Sequence, residues 1–201
     1  LDAIDRISGG ARDTVLAEQV SYGPSGTQFL KVYTPGQSAS TPLPVILFVH
    51  GGSWNKGSPE DYGFVGRSFV PEGFVVVLAA YRLHPEAVYP AMLKDTAAAI
   101  AWTQANIAKH GGDPSRITVS GHSAGAYNVA MAALEQRWIE AAGGNPNGIA
   151  GVVGLAGPYD FYPFDSDSTR ASFGHVEAGE ITQPINHVRE DAPPMLLVHG
   201  E

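Results

Sequence analysis

The feature that most restricts the fold of this chain is a pair of uninterrupted apolar runs, residues 43–50 (LPVILFVH) and 74–81 (FVVVLAAY). A strand with one face in water alternates apolar and polar residues, whereas an unbroken run is typical of a strand buried on both faces. Parallel sheets covered by helices bury their strands in this way. Each run is far shorter than the roughly 20 apolar residues that cross a bilayer. The runs therefore predict a helix-covered sheet and no membrane span.

The remaining segments place helices between further strands. The sequence predicts a hairpin from residues 14–22 and 27–33 around a turn at 23–26, strands at 117–120, 149–156 and 195–199, and helices at 91–109 and 124–134. Alternating strands and helices favour an α/β fold, here a mostly parallel sheet with helices on both faces. The length fits a single domain, residues 1–201. The polar, aperiodic stretch 157–194 is predicted to be a lid-like or specificity loop, because long loops are usually functional.

Composition excludes several classes of function. Among 201 residues, 12 basic side chains stand against 20 acidic ones, and the formal net charge is −8. No cluster of Lys or Arg is present, so nucleic acid and anionic membranes are not expected partners. Without cysteine there is no disulfide or thiolate nucleophile. No HxxxH pattern or carboxylate cluster indicates a metal, and no cofactor is expected. The protein is expected to be soluble, with oligomeric state and compartment, cytoplasmic or exported, left open.

The pentapeptide Gly121-His122-Ser123-Ala124-Gly125 matches the pattern G-x-S-x-G. It directly follows a predicted strand and directly precedes a predicted helix, which is the context in which this pattern carries a nucleophilic serine. A sharp strand-to-helix turn exposes the serine hydroxyl, and the small neighbouring residues let the backbones approach. The N-terminus of the following helix offers N–H groups and a positive dipole to developing negative charge. Ser123 is therefore the candidate nucleophile.

A second motif, His50-Gly51-Gly52-Ser53-Trp54, ends the first apolar run. An HGG turn presents consecutive backbone N–H groups to a substrate oxyanion. His50 itself is expected to bond the loop in place and not to act in catalysis. The two motifs stand in the order expected of an acyl-transfer enzyme, so each supports the interpretation of the other.

These motifs resemble those of the α/β-hydrolase fold, in particular the carboxylesterases related to hormone-sensitive lipase and the bacterial esterase and arylformamidase group. Four further segments contribute to the resemblance: residues 81–86 (YRLHPE), 112–117 (GDPSRI), 157–160 (GPYD) and 197–200 (LVHG). The resemblance implies Ser123 as nucleophile and an oxyanion hole from the N–H groups of Gly52, Ser53 and Ala124. Ser53 stands where lipase-like members carry a third glycine, and its N–H is still available.

No motif in the sequence identifies the catalytic acid and the histidine that would act with Ser123. In this fold the triad order is Ser, then Asp or Glu, then His, and the resemblance places both partners beyond Glu201, together with a last strand and helix. An internal alternative is Asp160 with His175 or His187, which all lie downstream of Ser123. Partners beyond Glu201 are favoured, because the residues around His175 and His187 do not mark either histidine as a catalytic base.

The resemblance implies a serine hydrolase that cleaves small-molecule carboxylic esters through an acyl-enzyme on Ser123. Two alternatives stay open: an amidase, peptidase or arylformamidase of the same fold, and a non-catalytic ligand-binding relative, since one fold hosts many functions.

Overall fold

One mixed sheet organises the chain. The computed structural model describes residues 13–37 and 39–200. Its strands are β1 (Thr14–Ser21), β2 (Phe29–Pro35), β3 (Leu43–Val49), β4 (Val75–Ala79), β5 (Gly112–His122), β6 (Ile149–Leu155) and β7 (Met195–Val198). They form a seven-stranded sheet in the order β1-β2-β4-β3-β5-β6-β7.

The sheet is parallel throughout its centre. β3 pairs in parallel with β4 on one side and with β5 on the other, and β6 and β7 continue the parallel pairing. The hairpin strands β1 and β2 add antiparallel pairings at one edge. The predicted mostly parallel sheet is thus confirmed. The carboxyl ends of β3, β5 and β6 meet at one end of the sheet, which is where open α/β sheets bind ligands.

Helices lie on both faces of the sheet, as predicted. The described residues form α1 (Gly63–Phe69), α2 (Ala91–Asn106), α3 (Ala124–Leu134), α4 (Arg137–Ala141) and α5 (Asp167–Phe173). In β3, Leu47 and Val49 belong to the core shared with α2 and α3, whereas Ile46 and Phe48 belong to a second core shared with α1. Successive strand residues point to opposite faces, so the two cores lie on opposite sides of the sheet. No helix in the described ranges is long and apolar enough to cross a bilayer.

Several predicted boundaries differ from the observed ones. The helix predicted at 91–109 is α2 followed by a 3₁₀ turn, Ile107–His110, which ends at Gly111 with a left-handed φ of 77°. β5 starts before the predicted residue 117. The sequence analysis does not predict α1 and α4, which have seven and five residues. Helices of two turns or fewer are too short to show a helical period in the sequence.

The segment 157–194, predicted to be a loop, carries regular structure. It contains α5 and two 3₁₀ turns, Gly179–Thr182 and Pro184–His187. Ser166 and Thr169 form a capping box at the start of α5, in which each side chain bonds the other's backbone N–H. Phe173 at the end of α5 is fully buried in the main core. The middle of this segment is therefore helical, and its role as a lid or specificity element stays a prediction.

A buried carboxylate joins three parts of the chain that lie far apart in sequence. Asp95 in α2 is only 1% exposed. It accepts hydrogen bonds from the backbone N–H, Nε and Nη2 of Arg82 at 2.9, 2.9 and 2.7 Å, and from Gln28 Nε2 at 2.8 Å. Hydrogen bonding to Asp95 raises the pKa of Arg82 above its ordinary value. The hairpin, the segment after β4 and α2 are thus held together by one side chain.

Asp95→Ala is expected to destabilise the fold by about 3 kcal/mol, because breaking a buried ion pair leaves polar groups without partners. The matched control is Asp167→Ala, which removes a fully exposed carboxylate paired with Arg170, and such surface pairs contribute little. The unfolding free energy of both variants is measured by urea denaturation. A control variant as unstable as Asp95→Ala would contradict the assignment of the stabilisation to the buried network.

Candidate active site

Ser123 occupies a strained turn between β5 and α3. β5 ends at His122 and α3 begins at Ala124, and between them Ser123 has φ 52° and ψ −117°. Its backbone is held on both sides, since Ser123 N–H donates to the carbonyl of Leu155 at 2.8 Å and its own carbonyl accepts from Tyr127 N–H at 3.1 Å. A non-glycine residue in such a conformation persists only when its surroundings impose it. This geometry is that expected for the turn predicted from G-x-S-x-G.

The two motif glycines next to Ser123 are required by close backbone packing. A Cβ on Gly121 would collide with the backbone of Gly125, and a Cβ on Gly125 would collide with the carbonyl oxygens of Val49 and His50. Helix α3 therefore begins in direct backbone contact with the end of β3. This contact brings Ser123 beside the loop that follows β3.

That loop, residues 50–57, turns its backbone sharply. Gly52, Ser53 and Trp54 have φ of 124°, 52° and 60°. The carbonyl of Gly52 accepts from the N–H groups of Asn55 and Lys56, both at 3.1 Å. Within the part of the chain that the structure describes, no protein acceptor takes the N–H of Gly52 or Ser53. Both residues line the same cavity as Ser123, so their N–H groups are available at this site.

Trp54 holds the loop against helix α3. Its side chain is 3% exposed, and its Nε1–H donates to Asn128 Oδ1 at 3.1 Å. The indole packs edge-on against Tyr127 and Phe173, with ring centroids 5.3 and 4.8 Å apart, and stacks on Phe161 at 5.7 Å. The loop position is thus set by a side chain in the same motif as the glycines.

His50 has a structural position. It is 2% exposed, and its Nδ1–H donates to the carbonyl of Gly51 at 2.8 Å. Its ring stacks on Tyr81 with centroids 4.6 Å apart. Burial lowers the pKa of His50 below its ordinary value, so the imidazole is neutral near pH 7. The prediction that His50 bonds the loop in place is confirmed by this contact.

A cavity of about 950 Å³ opens beside Ser123. It runs from the carboxyl ends of β3, β5 and β6 along the face of the sheet that α1 partly covers. The lining is largely apolar, with contributions from Ile46, Phe48, Phe64, Val65, Phe69, Val153 and Leu155. Gly52, Ser53, His122 and Ser123 stand at one end of it. An apolar cavity with a few convergent polar groups is the usual form of a small-molecule site.

The internal candidates for acid and base do not gather around Ser123. His175 Nε2–H donates to the carbonyl of Tyr89 at 2.8 Å, and His187 Nε2–H donates to the carbonyl of Ile181 at 2.7 Å. Asp160 is exposed, and none of the three lines the cavity beside Ser123. Among the described residues, no group of three or more His, Asp or Glu side chains could hold a metal ion.

The segment 157–194 packs on α3. The hydroxyl of Tyr127 donates to the carbonyl of Thr182 at 2.8 Å, and Arg189 donates to the carbonyls of Leu134 and Ala133, both at 3.1 Å. No described residue of the segment lines the cavity. Its role in specificity stays a prediction.

Two polar residues at this site were not singled out by the sequence analysis as functional. Tyr62 contributes its hydroxyl to contacts with Gly51 and His122, and Asn128 accepts from Trp54. No local pattern marks Tyr62, which lies in a 3₁₀ turn. Asn128 is a polar residue in an otherwise apolar helix, and that signal could have identified it.

Comparison with known proteins then places the chain in a family. The model of the BD-FAE family matches residues 30–201. The chain belongs to the BD-FAE family. Among curated proteins it is 34% identical to Esterase LipC of Mycobacterium tuberculosis, over 94% of this chain and 51% of that protein. It is 30% identical to the probable isoprenylcysteine alpha-carbonyl methylesterase ICMEL1 of Arabidopsis thaliana, over 90% of this chain and 42% of that protein. The chain thus spans about half the length of the curated relatives it matches.

Solved structures agree with this placement. A truncated form of a carbohydrate esterase from gut microbiota has a TM-score of 0.80 and 26% identity, covering 96% of this BD-FAE chain and 79% of that chain. Esterase B of Lactobacillus rhamnosis has a TM-score of 0.83 at 21% identity, covering 98% and 70%, which supports the fold alone. The predicted α/β-hydrolase fold and the resemblance to esterases of this fold are confirmed.

Gly125→Ala is expected to lower the free energy of unfolding by about 1–3 kcal/mol or more, because the added methyl group overlaps backbone that cannot move cheaply. Gly26→Ala is the matched control, since nothing lies within 4 Å of a Cβ at that position. Its unfolding free energy should stay the same or rise slightly. Denaturant unfolding of both variants checks this expectation, and equal stabilities would contradict the close packing of α3 on β3.

Proposed function

We propose that this protein is a serine hydrolase that cleaves carboxylic esters through an acyl-enzyme on Ser123. The observation that carries the proposal is the juxtaposition of the strained Ser123 turn with the unbonded N–H groups of Gly52 and Ser53 at one cavity. The names of the relatives, esterases and a methylesterase, support the same reaction class. The largely apolar cavity fits a small-molecule ester.

The proposed reaction begins when the Ser123 Oγ attacks the ester carbonyl carbon while a histidine accepts the hydroxyl proton. The carbonyl oxygen becomes an oxyanion, and the N–H groups of Gly52, Ser53 and Ala124 stabilise it. Ala124 is the first residue of α3, where N–H groups lack intrahelical acceptors and the helix dipole favours negative charge. The histidine then protonates the departing alcohol. Water then attacks the carbonyl carbon of the acyl-enzyme while the histidine accepts its proton. The histidine returns that proton to the Ser123 Oγ as the carboxylic acid departs.

The acid and the histidine of this mechanism are proposed to come from sequence beyond Glu201 in the full-length protein. The two candidate histidines inside the described chain are bonded elsewhere, His175 to the carbonyl of Tyr89 and His187 to the carbonyl of Ile181. His122 directs Nδ1 to the hydroxyl of Tyr62. The relatives, of which this chain covers about half, leave room for both residues.

Ser123→Ala in the full-length protein is expected to reduce turnover of p-nitrophenyl butyrate by on the order of 10⁴-fold or more, because the nucleophile is lost. Ser21→Ala, at an exposed serine at the end of β1, is the control and should retain wild-type turnover. Initial rates and circular dichroism of both variants provide the measurement. A folded Ser123→Ala variant with near wild-type turnover would overturn the proposal.

The oxyanion hole proposed here uses backbone donors, so the side chain of residue 53 should matter little. Ser53→Ala and Ser53→Gly are each expected to keep kcat within about threefold of wild type, whereas loss of an oxyanion donor costs about 10²–10³-fold. Glycine also tolerates the positive φ at this position. Steady-state kinetics on the same ester tests this, and a severe loss of kcat in both variants would assign a role to the hydroxyl.

A further inference from the structure

The hydroxyl of Tyr62 lies between the two segments that form the proposed site. It is 3.3 Å from the backbone N of Gly51 and 3.0 Å from Nδ1 of His122. Because the Gly51 N–H can only donate, the tyrosine oxygen accepts that bond, and the same hydroxyl lies within hydrogen-bond distance of His122 Nδ1. One hydroxyl therefore joins the loop after β3 to the residue that precedes Ser123.

The hydroxyl of Tyr62 lies where the loop after β3 is in close contact with the turn at Ser123. A Cβ added to Gly51 would lie 2.8 Å from the carbonyl oxygen of His122 and 3.2 Å from Cβ of Ser123. A shift of the loop relative to the turn would therefore change the distance between the serine hydroxyl and the N–H groups of Gly52 and Ser53. Catalysis is sensitive to such shifts, since a misplacement of 1 Å can cost about 10²-fold in rate.

The ring of Tyr62 is held independently of its hydroxyl. It lies at the end of a 3₁₀ turn, Pro59–Tyr62, which Ser58 caps by accepting from Glu60 N–H at 3.3 Å. Lys31 of β2 pairs with Glu60 at 2.6 Å and ties the turn to the sheet. The ring itself packs against Phe48, with centroids 5.1 Å apart, and against Phe64 at 5.9 Å. Phenylalanine at position 62 should keep this packing and remove only the hydroxyl.

Burial raises the pKa of the Tyr62 phenol above its ordinary value. The phenol therefore keeps its proton throughout the neutral range and can donate to His122. Asp61 and Lys56 also line the cavity.

We infer that Tyr62 is a positioning residue for the proposed ester hydrolysis: its hydroxyl bridges Gly51 and His122 and so sets the distance between the Ser123 nucleophile and the N–H groups of residues 52 and 53. This inference rests on the function proposed for Ser123. The N–H groups positioned by the bridge stabilise the substrate carbonyl oxygen mainly when it becomes an oxyanion in the transition state. Loss of the hydroxyl should therefore lower kcat and leave KM nearly unchanged.

The test uses Tyr62→Phe in the full-length protein with p-nitrophenyl butyrate as substrate. A p-nitrophenyl phosphonate titrates the active sites, so that kcat is expressed per competent site. The expected result is a kcat about tenfold below wild type with KM changed less than about threefold. The matched control is Tyr22→Phe, which removes a hydroxyl that donates to the carbonyl of Ala80 at 2.7 Å, a residue outside the lining of the cavity. This control should keep the wild-type kcat.

A double-mutant cycle with His122→Ala separates positioning from general loss of structure. If the bridge acts through His122, Tyr62→Phe should reduce kcat much less in the His122→Ala background than in the wild type. Additive losses, a Tyr62→Phe kcat within twofold of wild type, or a loss confined to KM would each overturn the inference.

The same measurements distinguish failure of the inference from failure of the proposed function. Turnover that survives Ser123→Ala would refute the proposed function and the inference together. Turnover that depends on Ser123 but not on the hydroxyl of Tyr62 would refute the inference alone. The unfolding midpoint of Tyr62→Phe, measured beside that of Tyr22→Phe, confirms that the kinetics report folded protein.

Discussion

The contact between the start of α3 and the end of β3 determines most of what this structure can do. Gly125 packs so closely on Val49 and His50 that no side chain fits between the two backbones. Since β3 and β5 are also paired neighbours in the sheet, backbone packing brings the turn at Ser123 and the start of the loop after β3 together. A site built on such contacts is rigid, because main-chain packing has no alternative rotamers to adopt. The proposed chemistry depends on this rigidity, as oxyanion donors act only at fixed positions.

Side-chain contacts attach the loop after β3 and the segment 157–194 to helix α3. Trp54 joins the loop to α3 through Asn128, and its ring packs on Phe173 from the segment 157–194. That segment in turn bonds α3 through Tyr127 and Arg189. Helix α3 is therefore a common support, and the loop and the segment each contact it separately. The network around Asp95 likewise ties the segment after β4 to α2, through Arg82.

The sequence predicts those parts of the fold and site that depend on neighbouring residues. The apolar runs indicate β3 and β4, and the two glycine motifs indicate the turn at Ser123 and the loop at Gly52, because strand burial and tight turns leave local patterns. Tyr62 leaves none, since its contacts with His122 join residues 60 positions apart. The hydrogen bond from Gln28 to Asp95 joins residues 67 positions apart. The helix α5 also escapes prediction, because one short helix inside a polar segment has too few turns to show a period.

The strained backbone positions of the described chain are distributed unevenly. Ser53, Trp54, Ser123 and Ala156 are its non-glycine residues with positive φ, and all four follow the carboxyl ends of β3, β5 or β6. Such conformations cost about 1–3 kcal/mol each, and glycine would adopt them with less strain. Glycine at position 53, 123 or 156 would relieve this strain and remove only a small side chain, whereas Trp54 also fills a buried aromatic cluster. At this edge of the sheet the chain thus keeps backbone strain that glycine at three of the four positions would relieve.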